Sequence, residues 1–225
     1  MAKFAKIIQE NNENILIKKF IRLFRTKIRN KGKGRFSFVL TGGNSPIKLY
    51  KKLSNAKRIN WKRIDFFIGD ERYIEETSKY SNINMCKKNL LNKIKISDNQ
   101  IFKISTNKSL KKNAIDYEKK IKKYFANKKV SFDLILLGIG DDGHIASLFK
   151  TNVSQKNNKN VNFIKRKDFS RITLTLKCLN FGKSIFLWAP NKIKSNIIKK
   201  ILLDNKLKYP VSYLRKKNNF LFHCD

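Results

Sequence analysis

The chain has 225 residues, 41% of them hydrophobic, with 52 Lys and Arg against 16 Asp and Glu, a formal net charge of +36. That length and apolar content suit one sizeable core and exclude wholesale disorder, and no apolar run reaches the roughly 18–20 residues needed to cross a bilayer. The charge points at first to nucleic acid or an anionic membrane, but 42 of the basic residues are Lys and 10 are Arg, scattered along the chain with many Asn and Ile. That spread reads as drift of an A/T-rich coding sequence, because nucleic-acid readers concentrate Arg and aromatic residues in one segment.

The opening MAKFAKIIQENNEN turns polar too soon for a signal-peptide core. Cys86, Cys178 and Cys224 are odd in number and far apart, so they read as reduced thiols in a cytoplasmic protein. From Phe4 to Arg29, Ile17, Phe20, Ile21, Phe24 and Ile28 recur at spacings of three and four, which predicts an amphipathic helix. FSFVL (36–40) is a short buried strand that opens into Thr41-Gly42-Gly43-Asn44-Ser45, with Pro46 as first residue of a helix to about Leu53. IDFFI (64–68) is a second strand, ending at Gly69-Asp70-Glu71-Arg72, and a helix follows from about Ser81 to Leu91.

Residues 101–104 form a weaker strand, and Leu110, Ala114, Tyr117, Ile121 and Phe125 stripe another helix. FDLILLG (132–138) is the clearest strand, nearly all apolar, which predicts cover on both faces. After a Lys- and Asn-rich loop at 151–160 come strands RITLTL (171–176) and SIFLWA (184–189), a helix carrying Ile193, Ile197 and Ile201, and a final FLFHC strand. Strands alternating with helices predict a single α/β domain over 1–225: a mostly parallel, Rossmann-like open sheet with helices on both faces.

Ligands of such sheets sit beyond the carboxyl ends of the strands, and three of the best strands end there in polar, Gly-containing sequences. In the first, Gly42 and Gly43 allow close approach of the backbone, Thr41 and Ser45 add hydroxyls, and amides at a helix N-terminus favour a phosphate. An ordinary strand–helix turn capped by Ser45 is the plainer reading. In the second, acids are scarce in the chain, so Asp70 and Glu71 beside Arg72 suggest a site, or else an ion pair that holds the loop. The third, Gly138-Ile-Gly-Asp-Asp-Gly-His144, places one of the chain's two histidines after a buried strand, beside Asp141 and Asp142. Histidine titrates near neutrality and is the usual general base. His223, inside the last strand, reads as a packing residue. A metal at Asp141, Asp142 and His144 is weakly supported, for no second histidine lies near in sequence.

Taken together, LTGGNSPIKLY, GDERY, SNINMCKKNLL, FDLILLGIGDDGHIASLF and RITLTLKCLN resemble the 6-phosphogluconolactonase family, within a larger group that includes glucosamine-6-phosphate deaminases. Deaminases of that group carry a Glu shortly after the histidine, and Phe149 stands in its place here. The resemblance implies hydrolysis of a phosphorylated sugar lactone, a small-molecule substrate, with no cofactor and no metal. It implies that Thr41, Gly42, Gly43, Asn44, Ser45 and Arg171 hold the phosphate and that His144 is the base. Asp142 would orient His144 or hold sugar hydroxyls, Asp70 would bind substrate, and Arg72 would face the developing charge. The family's Gly-x-x-Lys is replaced by Ala-Pro-Asn-Lys-Ile-Lys (189–194), so Lys192 or Lys194 takes the phosphate-binding role, with Lys192 assigned it. The alternatives are a hexosamine-6-phosphate isomerase or deaminase and a non-enzymatic polyanion-binding protein. A monomer or weak homodimer is expected, with neither a specific nucleic-acid partner nor a membrane partner.

Overall fold

The computed structural model describes residues 4–153, 158–191, 194–203, 208–215 and 219–224. The chain starts with a strand, β1 (Lys6–Glu10), followed by helix α1 (Glu13–Asn30). The expected helix from Phe4 is therefore two elements. Only Ile8 of β1 is buried, and the five-residue strand exists because it pairs in parallel with the last strand of the chain. Long-range pairing of that kind overrides local periodicity. Asn12 then caps α1, its side chain accepting from the amide of Asn14 at 2.7 Å.

The expected central strands are β2 (Phe36–Leu40), β3 (Ile64–Ile68) and β6 (Leu134–Gly138). The weaker strand is the two-residue β5 (Ile101–Phe102). Strands β9 (Ile185–Ala189) and β10 (Asn219–Cys224) complete a sheet in the order β1-β10-β9-β6-β2-β3-β5, parallel at every pairing. Helices α2 (Ile47–Ser54), α3 (Asn82–Asn89), α4 (Leu110–Tyr124), α5 (Leu176–Asn180) and α6 (Ser195–Leu203) connect the strands. Pro46 precedes α2 as its cap instead of opening it. Ile193, read as part of α6, lies outside the described residues.

The alternation of each strand sends one set of side chains to each face. Phe20 of α1 packs on Phe186, Trp188 and Phe222, and Phe24 packs on Phe36 and Phe38. On the opposite face Tyr124 of α4 meets Phe67 and Phe102. Helices thus cover both faces, and β2, β3 and β9 are buried at every residue, as their largely apolar sequences predict.

One feature differs from the expected architecture. The RITLTL segment does not join the parallel sheet: β8 (Arg171–Leu174) lies between β4 (Asp70–Arg72) and β7 (Val161–Ile164) in a separate antiparallel sheet. The run ends early because Thr175 caps α5, its side chain accepting from the amide of Cys178. β4 follows β3 after the single residue Gly69, so the small sheet grows out of the carboxyl end of the large one. Strand order reverses between β2 and β6, which are neighbours, and there the ends of both strands open a crevice.

Candidate active site

That crevice is a cleft of about 270 Å³ lined by Thr41–Ser45, Asp70, Arg72, Asn82, Gly138–Asp141, His144, Ala146, Arg171 and Lys194. All three polar strand ends therefore meet at one place. The glycine turn after β2 and the histidine loop after β6 share its wall.

The turn is anchored from behind. The Tyr50 hydroxyl receives the Thr41 amide at 3.0 Å and donates to the Thr41 carbonyl at 2.8 Å, and Trp188 Nε1 donates to the Ser45 carbonyl at 3.1 Å. The Gly138 amide donates to Thr41 Oγ1 at 3.1 Å, tying the ends of β2 and β6 together. The amides of residues 42 to 45 donate to no protein acceptor among the described residues. Four N–H groups held just before a helix are the arrangement that receives an anion. A side chain at Gly42 would have to displace the buried Asn82, because its Cβ would fall 1.9 Å from Asn82 Oδ1.

His144 is held from two sides. Its Nδ1 lies 2.6 Å from Asp142 Oδ1, and the same oxygen accepts the His144 amide at 3.1 Å. With the Nδ1 proton donated to the carboxylate, Nε2 keeps its lone pair. Burial alone would raise the Asp142 pKa, but the bonds from the His144 amide and ring outweigh it and hold the carboxyl below its usual range. Asp142 does not line the cleft, so of its two expected roles the geometry favours orienting the histidine. The imidazole lies over Gly140, where a Cβ would come within 2.0 Å of Nδ1. Ala146, just beyond, has φ of 48°, a left-handed conformation that costs an L residue on the order of 1 kcal/mol or more and collects at functional loops.

The small sheet supplies the cations. Its register sets Arg72 directly opposite Arg171, and both line the cleft. Like charges facing each other across strands are unfavourable, and an anion between them removes the penalty. Arg72 Nη1 donates to the Tyr80 carbonyl at 2.5 Å, while Arg171 is engaged by Asp168. Asp70 is buried and accepts from Ser147 Oγ at 2.7 Å, which leaves that serine behind the wall as a strut. Glu71 turns away from the cleft to accept the amides of Asn82 and Ile83 at 2.7 and 2.8 Å, and burial pushes its pKa up to about 7. Glu71 is thus the anchor of α3.

Lys192 lies outside the described residues. Lys194 lines the cleft, with Nζ bonded to the Ile139 carbonyl and 4.0 Å from Asp141 Oδ1, and burial lowers its pKa. Asn82 was missed by sequence reasoning although it sits in a quoted motif. Its Nδ2 donates to the carbonyl of Asp70 at 2.7 Å and its side chain lies against Gly42, so it holds the start of β4 against the glycine turn. No signal along the chain links two residues forty positions apart. His223 is buried in β10, as its place in that strand predicts. Among the described residues, no group of three or more His, Cys, Asp or Glu side chains could hold a metal ion, and no helix is long and apolar enough to cross a membrane. Cys86, Cys178 and Cys224 are buried and form no disulfide.

Comparison with known proteins gives the site a context. The family described as glucosamine-6-phosphate isomerases/6-phosphogluconolactonase is matched over residues 11–222. The chain is 32% identical to the 6-phosphogluconolactonase of Thermotoga maritima over 202 residues, covering 88% of each protein. It is also 32% identical to that of Chlamydia pneumoniae over 203 residues, 85% of this chain and 76% of the relative. The solved 6-phosphogluconolactonase of Thermotoga maritima superposes with a TM-score of 0.86 at 29% identity, covering 98% of this chain and 99% of that one. The enzyme from Trypanosoma cruzi superposes with a TM-score of 0.85 at 27% identity, covering 100% and 96%.

Proposed function

This chain belongs to the family of glucosamine-6-phosphate isomerases and 6-phosphogluconolactonases, and from that premise we propose that it hydrolyses 6-phospho-D-glucono-1,5-lactone to 6-phosphogluconate in the cytoplasm, as a step of the oxidative pentose phosphate pathway. The observation that carries the reading is one cleft with an anion cradle at one wall and an aspartate-oriented imidazole at another.

In this mechanism the amides of Gly42–Ser45, with Arg171 and Lys194, grip the phosphate. Charge-assisted bonds of this kind are about twice as strong as neutral ones. The lactone carbonyl then lies toward His144. Nε2 takes a proton from a water as its oxygen bonds to C1, and the carbonyl electrons move onto the oxyanion, whose charge Arg72 offsets. The oxyanion collapses, the bond from C1 to the ring oxygen breaks, and the imidazolium returns its proton to that oxygen. The new carboxylic acid ionises and releases one proton to solution. General-base catalysis contributes roughly 10²–10⁴-fold. A δ-lactone also opens slowly in water, so no covalent nucleophile is needed.

Phe149 sits where a deaminase would carry an acid, its ring 4.8 Å from the imidazole ring. An amino-sugar mechanism would lack that proton donor. The test is acid release from freshly prepared lactone in weak buffer, run beside ammonia release from glucosamine 6-phosphate. Saturable acceleration with the lactone and no ammonia is expected; ammonia release without lactone turnover would overturn the assignment.

A further inference from the structure

Residues 165–170 join β7 to β8 and hold an acid at the edge of a basic cleft. Asp168 Oδ1 accepts from Arg171 Nη1 at 3.0 Å and from Arg166 Nε at 3.1 Å, and Oδ2 accepts from Arg171 Nη2 at 2.7 Å. The fork of Arg171 is thus filled by a carboxylate in the same two-pronged geometry in which an arginine receives a phosphate. Hydrogen bonding from Arg171 holds the Asp168 carboxyl far below the usual range.

The two partners differ in freedom. The Arg171 side chain is 10% exposed and the Asp168 side chain is 45% exposed, so the cation is set in the wall while the acid stands at the solvent rim. Arg171 does not depend on Asp168 for its place. Its Nη1 also donates to the Phe169 carbonyl at 3.0 Å, and its guanidinium carbon lies 5.5 Å from the centre of the Phe149 ring. Arg166, the second partner of Asp168, stacks on the same ring at 3.9 Å.

We propose that Asp168 is a built-in competitor for the substrate's phosphate, closing the Arg171 fork when the cleft is empty and swinging to solvent when a dianion displaces it. The proposal rests on the reading of the cleft as a phosphate-ester site. Substrate and product carry the same phosphate, so Asp168 weakens both alike; it sets KM and eases product departure, and the chemical step is untouched. It also selects by charge, since a weaker anion gains too little at Arg171 to evict a carboxylate already paired there.

The test is Asp168→Asn, with KM measured for the lactone and Kd for inorganic phosphate and for 6-phosphogluconate measured by calorimetry. All three constants should fall by roughly three- to tenfold, the scale of one partly exposed charged pair. Unchanged constants would overturn the proposal, and so would a rise, which would make Asp168 a clamp that merely holds Arg171. Repeating the substitution in an Arg171→Met background separates the pair from the general field: no further fall is expected, and a fall of the same size would also overturn it. Asp168→Ser serves if the Asn variant does not fold. If the unmodified protein fails to turn over the lactone while the phosphate Kd still drops in Asp168→Asn, the lactonase reading fails and the competitor stands. If turnover is normal and the phosphate Kd does not drop, only the competitor fails.

Discussion

At the amino ends of the strands, Asp133 accepts from Lys31 Nζ, Lys183 Nζ and both the amide and hydroxyl of Ser37, and Asp65 accepts from Arg35 and Tyr124. At the carboxyl ends the amides of residues 42–45 have no protein acceptor among the described residues, two arginines face each other, and the half-buried Lys194 is held by a carbonyl and a distant acid. Both ends gather charge at the mouth of a crevice. One end satisfies its charges with buried acids; the other leaves a run of backbone amides without a partner and closes Arg171 only with Asp168, an acid at the solvent rim. Size does not separate them, for a hollow of about 790 Å³ lined by Arg35, Lys62, Asp65 and Lys95 lies at the amino ends. Its guanidinium, Arg35, is already answered by Asp65. Unmet hydrogen-bonding capacity, and not volume, marks the functional end.

That contrast breaks apart cleanly under mutation. His144→Gln should lower kcat/KM by about 10²–10⁴-fold, read from proton release, with the denaturation midpoint nearly unmoved because the ring is partly exposed. Asp133→Ala should do the reverse, costing about 2–4 kcal/mol in urea unfolding while kcat/KM stays at the original value. A buried carboxylate there has its pKa held down by Lys183 and Lys31 against burial, and removing it strands the Ser37 amide. If both variants lost activity and stability together, the division between the two ends would be false.

Glu71 sharpens the comparison, because it is an acid at the functional end used for structure. Burial raises its folded pKa to about 7 from an ordinary 4.5. The folded state thus binds its proton more tightly than the unfolded chain does. Its contribution is full below about pH 4.5 and is lost as pH rises through about 7, a change of at most about 3 kcal/mol. Glu71→Gln, which cannot ionise, should therefore gain in Tm relative to the unmodified protein between pH 5 and 8; a constant difference would contradict the burial argument. The smallest effect is expected at Asp142→Asn, about tenfold in kcat with KM unchanged, since that variant loosens the imidazole and leaves the phosphate grip alone.

Much of the fold was legible because FSFVL, IDFFI and FDLILLG are short, nearly all apolar and followed by glycine, which suits a parallel sheet covered on both faces. The three strand ends were legible for the same reason, since polar residues right after such runs have nowhere to go but the crevice. What stayed hidden depends on pairing. β1 is five residues with one buried, and it is a strand only beside β10. The antiparallel sheet was masked because RITL reads as well for either sheet, yet its register is what puts Arg72 against Arg171. Asn82 and Asp168 earn their places through side-chain contacts, Asn82 with Gly42 and Asp168 with Arg171, that no local pattern records, whereas Lys194 was one of two lysines offered for its role.

The central claim is that the anion cradle after β2 and the imidazole after β6 grip two ends of one molecule. The most direct measurement is a crystal structure of the protein soaked with 6-phosphogluconate. The account predicts the phosphate on the amides of Gly42–Ser45 with Arg171 or Lys194 beside it, and the C1 carboxylate within hydrogen-bond reach of His144 Nε2. A phosphate seated among Arg35, Lys62 and Lys95 at the amino ends, or a carboxylate turned away from His144, would contradict it.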